Sequence, residues 1–391
     1  MIIRIVFLLT IFASLMSQLP VVLDSDYDGY LKAMWLIPFA FLGIFKFKTY
    51  MERPLWFMYI GTLCMLFYCA ACEGVTGRNY MNIDLYNMSL SLMIGITSYS
   101  LFRNYYSKTL LFSISIISMI GSLILCLYLY ELYFIDYDIM DRMYAFKAKN
   151  AMGQILFNCS IVIALYSNSK NIFVKSLQYF SIAIILVMLC MLKSRATLIG
   201  VFFTIAYMIV QSRSKVVRWA TVFVVSLSLT YIFMNDYYYD MIFNGILFAG
   251  RDISDINELS SERVYTIEQA LEVIPRNLWI GIGDKYIDCM PVAMILQFGL
   301  LGAAIVFAYI GVTLSKVLLL DRDNKIHLVT YLLMMAMMLN SLFEAQPPFG
   351  PGVKCFMLWM ALGFSLGYEK TIQDNRKYAS NNYTELTPTE K

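Results

Sequence analysis

Seven cations stand where this chain is otherwise acidic: Lys149, Lys193, Arg195, Arg251, Arg263, Arg276 and Lys285, with Lys147 beside the first. The arginine fork binds phosphate oxygens two at a time and keeps its charge at any ordinary pH. A cluster of such side chains can therefore stabilise a diphosphate leaving group without a metal. For any one cation, a salt bridge to a nearby acid such as Glu262 or Glu268 is the ordinary alternative. Tyr237, Tyr238, Tyr239, Tyr265 and Trp279 have rings that could stack on sugar faces, although such rings also serve as membrane-interface anchors.

Other chemistries find little support. His327 is the single histidine and falls at a helix end, which argues against histidine-based zinc catalysis and a Ser-His-Asp triad. Asp24-Ser-Asp26-Tyr-Asp28-Gly29 begins like a calcium loop, but its twelfth position is Trp35. The eight cysteines lie almost wholly in apolar runs, where cysteine acts as a small hydrophobe. Cys69-Ala-Ala-Cys72 has redox spacing but no thioredoxin-like context. No metal and no cofactor are expected.

The elements that must position these cations are membrane helices. Of 391 residues, 60% are hydrophobic and 15% charged, where soluble chains run near a quarter charged. A net charge of +3 gives no reason to expect a nucleic-acid partner. Spans need about 20 apolar residues, and roughly 17 when short. Twelve stretches qualify: 4–20, 31–46, 55–72, 85–102, 109–130, 151–167, 176–192, 197–212, 218–234, 291–312, 327–343 and 353–368. Met1–Pro20 has the look of a signal peptide but no clear cleavage site, so it reads as the first span.

With both termini cytoplasmic, the inner segments hold 18 of the 30 basic residues and 7 of the 27 acidic ones. That sorting obeys the positive-inside rule. The expected fold is thus an all-α polytopic membrane protein: nine spans over 1–234, an outer loop at 235–290, three spans over 291–368 and a polar, disordered cytoplasmic tail at 369–391. The spans carry almost no charge, which argues against an ion-driven transporter. A loop as long as 235–290 usually has work to do. Within it Ser261 could cap a helix whose apolar face is Val264, Ile267, Leu271 and Ile274, ended by Pro275.

Several short patterns carry a resemblance. Leu192-Lys-Ser-Arg195-Ala, then Arg263-x-Tyr265…Ala270-Leu271…Pro275…Gly281-Ile-Gly283, then Leu296-Gln297-Phe298-Gly299-Leu-Leu-Gly302 are similar to the bacterial O-antigen polymerase and ligase superfamily. Lys149-Asn150…Gly153-Gln154 fits the same pattern. The glycines make physical sense, Gly281 and Gly283 for a tight loop turn, Gly299 and Gly302 for close helix approach.

The resemblance implies a metal-independent glycosyltransferase of the inner membrane, acting on its periplasmic face upon undecaprenyl-diphosphate-linked oligosaccharide repeat units. Arg195 and Arg263 would grip the diphosphate, with Lys149, Lys193, Arg251, Arg276, Lys285 and Tyr265 as further substrate contacts. Membrane lipid and a chain-length regulator protein are the other expected partners. Many members, ligases above all, carry a histidine about eleven residues before the glycine matching Gly299 or Gly302. Counting back from Gly299 gives Asp288, which leans the reading toward polymerase and makes Asp288 the candidate base, with Asp284 and Glu344 as substitutes. A ligase acting on lipid A core and a flippase for lipid-linked sugar are the alternatives.

Overall fold

The computed structural model describes residues 2–385 except Asp26, Asn82, 136–148, Asn168, 212–213, 249–250, 252–253, 346–347 and Pro351. Asp26, Lys147, Arg213 and Lys391 lie outside the described residues. Every regular element among those described is helical. The described residues of the twelve apolar stretches fall largely on helices, with 31–46 divided between Tyr27–Ala33 and Leu36–Phe45. Among the described residues four helices are long and apolar enough to cross a membrane: Arg53–Thr76, Lys108–Tyr133, Ile172–Met191 and Met290–Leu318. A fifth span arises if Arg218–Met234 and Asp236–Leu247, bent by 106°, count as one broken crossing.

The difference from twelve has a physical basis. Ile2–Met16, Arg195–Gln211 and Lys325–Asn340 are apolar but short. Ile83–Tyr105 is long, yet its run is interrupted by Asn87, Ser91, Thr97, Ser98 and Ser100, all buried. These polar groups face protein. The Ile83–Tyr105 helix packs along the Gly352–Glu385 helix, and the two backbones touch. A Cβ at Gly363 would stand 2.3 Å from the Gly95 carbonyl oxygen. Small residues allow this approach, which suits helices that associate where lipid offers no hydrophobic drive.

The last helix runs on to Glu385, where a disordered tail was expected from residue 369. Its continuation is tied down: Arg103 Nη2 meets Asp374 Oδ2 at 2.7 Å, and Lys370 pairs with the same carboxylate at i+4.

A break in the Met290–Leu318 helix organises the opposite end. Gly299 has φ +64° and ψ −176°, backbone open essentially to glycine alone. The break frees peptide groups, and the segment 278–283 satisfies them. Ile282 N–H donates to the Leu296 carbonyl at 2.9 Å and Gly283 N–H to that of Gln297 at 3.0 Å. In return Leu300 and Leu301 N–H donate to Leu278 and Trp279 at 2.8 and 3.3 Å. Gly281 and Gly283 take positive φ, as a tight turn requires. Gly299 instead admits the loop backbone: its added Cβ would lie 2.3 Å from the Trp279 carbonyl carbon. Arg78 Nη1 clamps the turn through Asn277 and the Gly281 carbonyl, both at 3.0 Å.

Candidate functional site

The turn tied to Gly299 delivers residues 284–289 to the head of the next helix. Met290 N–H donates to the Ser341 carbonyl at 2.9 Å, so Asp288 is held beside the 341–344 segment. Opposite it comes the Arg263–Val273 helix. That helix is preceded by two consecutive left-handed residues, Ser261 at φ +62° and Glu262 at +61°. Glu262, rather than Ser261, occupies the capping position. The Ser261 hydroxyl is used otherwise: it accepts from Arg195 Nη2 at 3.0 Å and from Arg251 Nη1.

The phase of this helix also differs from the expected one. Ala270 is buried and Leu271 exposed. The inward stripe is Arg263, Ile267, Ala270 and Ile274, at i, i+4, i+7 and i+11. Arg263 therefore faces the protein, not the polar side. Its Nε lies 3.5 Å from Asp288 Oδ2 and its Nη2 3.8 Å from Glu344 Oε1. The other Glu344 oxygen accepts from Lys354 Nζ at 3.2 Å, with both of these side chains buried. Burying charges is tolerated when each has a partner, and Glu344 has two.

Lys193 and Arg195 sit at the junction of the Ile172–Met191 and Arg195–Gln211 helices. Lys193 is buried and left-handed at φ +50°, an uncommon state for a residue with a Cβ. Such strain persists where surrounding structure enforces it, and functional sites are where it gathers. Ser194 Oγ bonds to Asn150 Oδ1 at 3.1 Å, linking this junction to the start of the Lys149–Tyr166 helix.

Lys149, ahead of that helix's apolar run, reports the resulting field. Burial, then the charges of Arg251, Arg195, Lys193 and Arg263, lower its pKa to about 8. Tyr286 moves the other way. Desolvation of the hydroxyl and then the neighbouring Asp288 carboxylate push its phenol above the ordinary range, although most of the ring is exposed.

Between these groups lies a cavity of about 350 Å³. Arg195, Arg263 and Asp288 line it together with Ile199, Val264, Ile267 and Leu342. It is an apolar groove with cations along it, suited to an amphiphile with an anionic head. Among the described residues no three His, Cys, Asp or Glu side chains group as metal ligands.

The structure thus brings together Lys149, Lys193, Arg195, Arg251, Arg263, Asp288 and Glu344. Residues 180–295 match the family model of the O-antigen ligase. The match supports the O-antigen polymerase and ligase superfamily for this chain. No curated protein matches the chain significantly. The segment matching the O-antigen ligase model covers Lys193, Arg195, Arg251, Arg263 and Asp288, while Lys149, Glu344 and Lys354 complete the cluster from outside it.

Other expected contacts stand apart. Tyr265 lies on the exposed face of its helix, and Arg276 and the Lys285 side chain are exposed. Lys285 contributes its carbonyl, which accepts from Gln297 Nε2 at 2.6 Å. Asp284 is exposed and is held through its backbone N–H to the Asn79 carbonyl at 3.0 Å. His327 is at the far end, 3.5 Å from Glu369. Lys354, Tyr286 and the Ser261 hydroxyl went unforeseen. Lys354 alone had a sequence signal, being a cation at the outer edge of the last apolar stretch. All eight cysteines are free thiols.

Proposed function

We propose that the chain is an O-antigen polymerase. It joins undecaprenyl-diphosphate-linked repeat units on the periplasmic face of the inner membrane, with twelve spans and both termini cytoplasmic. The observation that carries this reading is the convergence of Arg195, Arg251, Arg263, Lys149 and Lys193, of which Arg195 and Arg263 line an apolar groove. The groove suits the isoprenoid end of a lipid carrier, and the cations suit its diphosphate.

In the reaction a sugar hydroxyl of one lipid-linked unit attacks the anomeric carbon of a second, longer chain. A carbon–oxygen bond forms there as the bond to the diphosphate oxygen breaks. The electron pair leaves on that oxygen, where Arg195 and Arg251, aligned on Ser261, stabilise it. Asp288 takes the hydroxyl proton, oriented by Arg263. Glu344 and Lys354 hold Arg263 from behind.

The ligase reading shares groove and donor. It is supported by the description of the matching family. Against it stands Asp288 at the position where the resemblance leads one to seek a histidine, the chain's single histidine being at the other end. A lipopolysaccharide gel of a deletion strain separates the two. Core carrying a single repeat unit is the polymerase result. Core bare of any repeat would assign the ligase or flippase, and an unchanged ladder would move the protein to another polysaccharide.

A further inference from the structure

The end of the molecule away from the arginines holds two adjoining cavities of about 250 and 280 Å³, which share Ser167 and Lys325. The Lys149–Tyr166 helix joins the two ends. Its first residue stands in the arginine cluster and its last lines the first cavity, about 26 Å away at 1.5 Å per residue. Lys108 and Lys325 line one cavity, Lys170, Lys175 and Lys325 the other, and among the described residues no acidic side chain lines either. None of these four lysines has an ion-pair partner among the described residues.

Backbone charge adds to theirs. Three helices begin here, Lys108–Tyr133, Ile172–Met191 and Lys325–Asn340, capped by Ser107, Asn171 and Asn324. A cap satisfies only part of a first turn, and each N-terminus keeps about half a positive charge. In the second cavity the buried Gln178 is fixed on both sides: Ser167 Oγ donates to its Oε1, and its Nε2 donates to Ser115 Oγ at 3.1 Å. Four lysines and three helix termini around a rigid polar floor call for phosphate.

The flank of the second cavity says which kind of phosphate. The Ile172–Met191 helix is apolar and long enough to cross a membrane, and Phe173, Leu177 and Phe180 on it are exposed. A free anion gains nothing from that surface. A phospholipid lays its acyl chains along it while its headgroup enters among the lysines. We infer that this end binds a diphosphatidyl phospholipid, one phosphodiester in each cavity, with Lys325 between them.

The test heats the purified full-length protein in neutral detergent with added cardiolipin, phosphatidylethanolamine or inorganic phosphate. Cardiolipin is expected to raise Tm by roughly 2–4 °C at saturation, and the zwitterionic lipid and phosphate to leave it unchanged. Lys175→Gln with Lys325→Gln should lose the shift. Lys48→Gln with Lys215→Gln, which removes equal charge at the same end outside the cavities, should keep it. Equal shifts in both double variants overturn the site. An equal shift with phosphatidylethanolamine overturns the headgroup reading, and a shift with phosphate alone assigns the cavities to a free anion. These wild-type comparisons decide the matter even if a variant fails to fold.

Discussion

Burial first, and then the charges of Arg251, Arg195, Lys193 and Arg263, lower the Lys149 pKa to about 8 in the protein without a bound anion. Its folded-state value lies below the ordinary 10.5. The charged form is therefore disfavoured in the empty protein, at a stability cost present below about pH 8 and relieved as pH rises toward 10.5. A bound diphosphate reverses the sign, because it favours the charged lysine. Donor affinity should therefore fall as pH rises through about 8, seen as a rising KM for lipid-linked donor. Lys149→Arg should move that decline to higher pH, and Lys149→Met should remove it at a uniformly weaker affinity. An identical pH profile for wild type and Lys149→Met would exclude Lys149 from the donor site.

The elements behind these side chains depend on one backbone exception. Gly299→Ala puts a methyl group into the Trp279 backbone at a φ of +64°, and should cost at least about 3 kcal/mol. Gly311, on the same helix with nothing within 4 Å of its added Cβ, should accept alanine at less than about 1 kcal/mol either way. Thermal melts of both variants in detergent check the pair, and equal melts would mean the break is not needed for stability. Sequence alone identified Gly299 as special but not the reason, since helix contact and a broken helix both ask for glycine. The Arg263–Val273 helix was legible as an element, while its facing was not. Leu271 is the larger apolar residue, yet Ala270 is the one that is buried. The cations were legible through their mismatch with the acidic outer segments. Their convergence was not, as Arg195, Arg251 and Arg263 meet at a serine hydroxyl and a carboxylate that no periodicity marks. Lys354 was marked as a cation at the edge of an apolar run, but its buried pairing with Glu344 was not legible.

At the scale of the whole molecule, the arginine cluster and the lysine-lined cavities occupy opposite ends of the helix bundle, joined by the Lys149–Tyr166 helix. The proposed orientation puts the arginines in the periplasm. In a chain freed of its eight cysteines, Lys285→Cys should react with an impermeant maleimide on intact spheroplasts. Lys170→Cys should react only after the membrane is opened, and the reverse pattern would invert the molecule. In the proposed reaction the clustered cations, Arg195 and Arg263 at the groove among them, hold the diphosphate of a lipid-linked glycan during transfer. That role is tested most directly by supplying purified protein with its lipid-linked repeat unit and following chain length by mass spectrometry. Wild type should build a ladder and release undecaprenyl diphosphate, whereas Arg195→Ala and Arg263→Ala, folded and expressed alike, should each leave the single unit unextended. A full ladder from both variants would contradict the account.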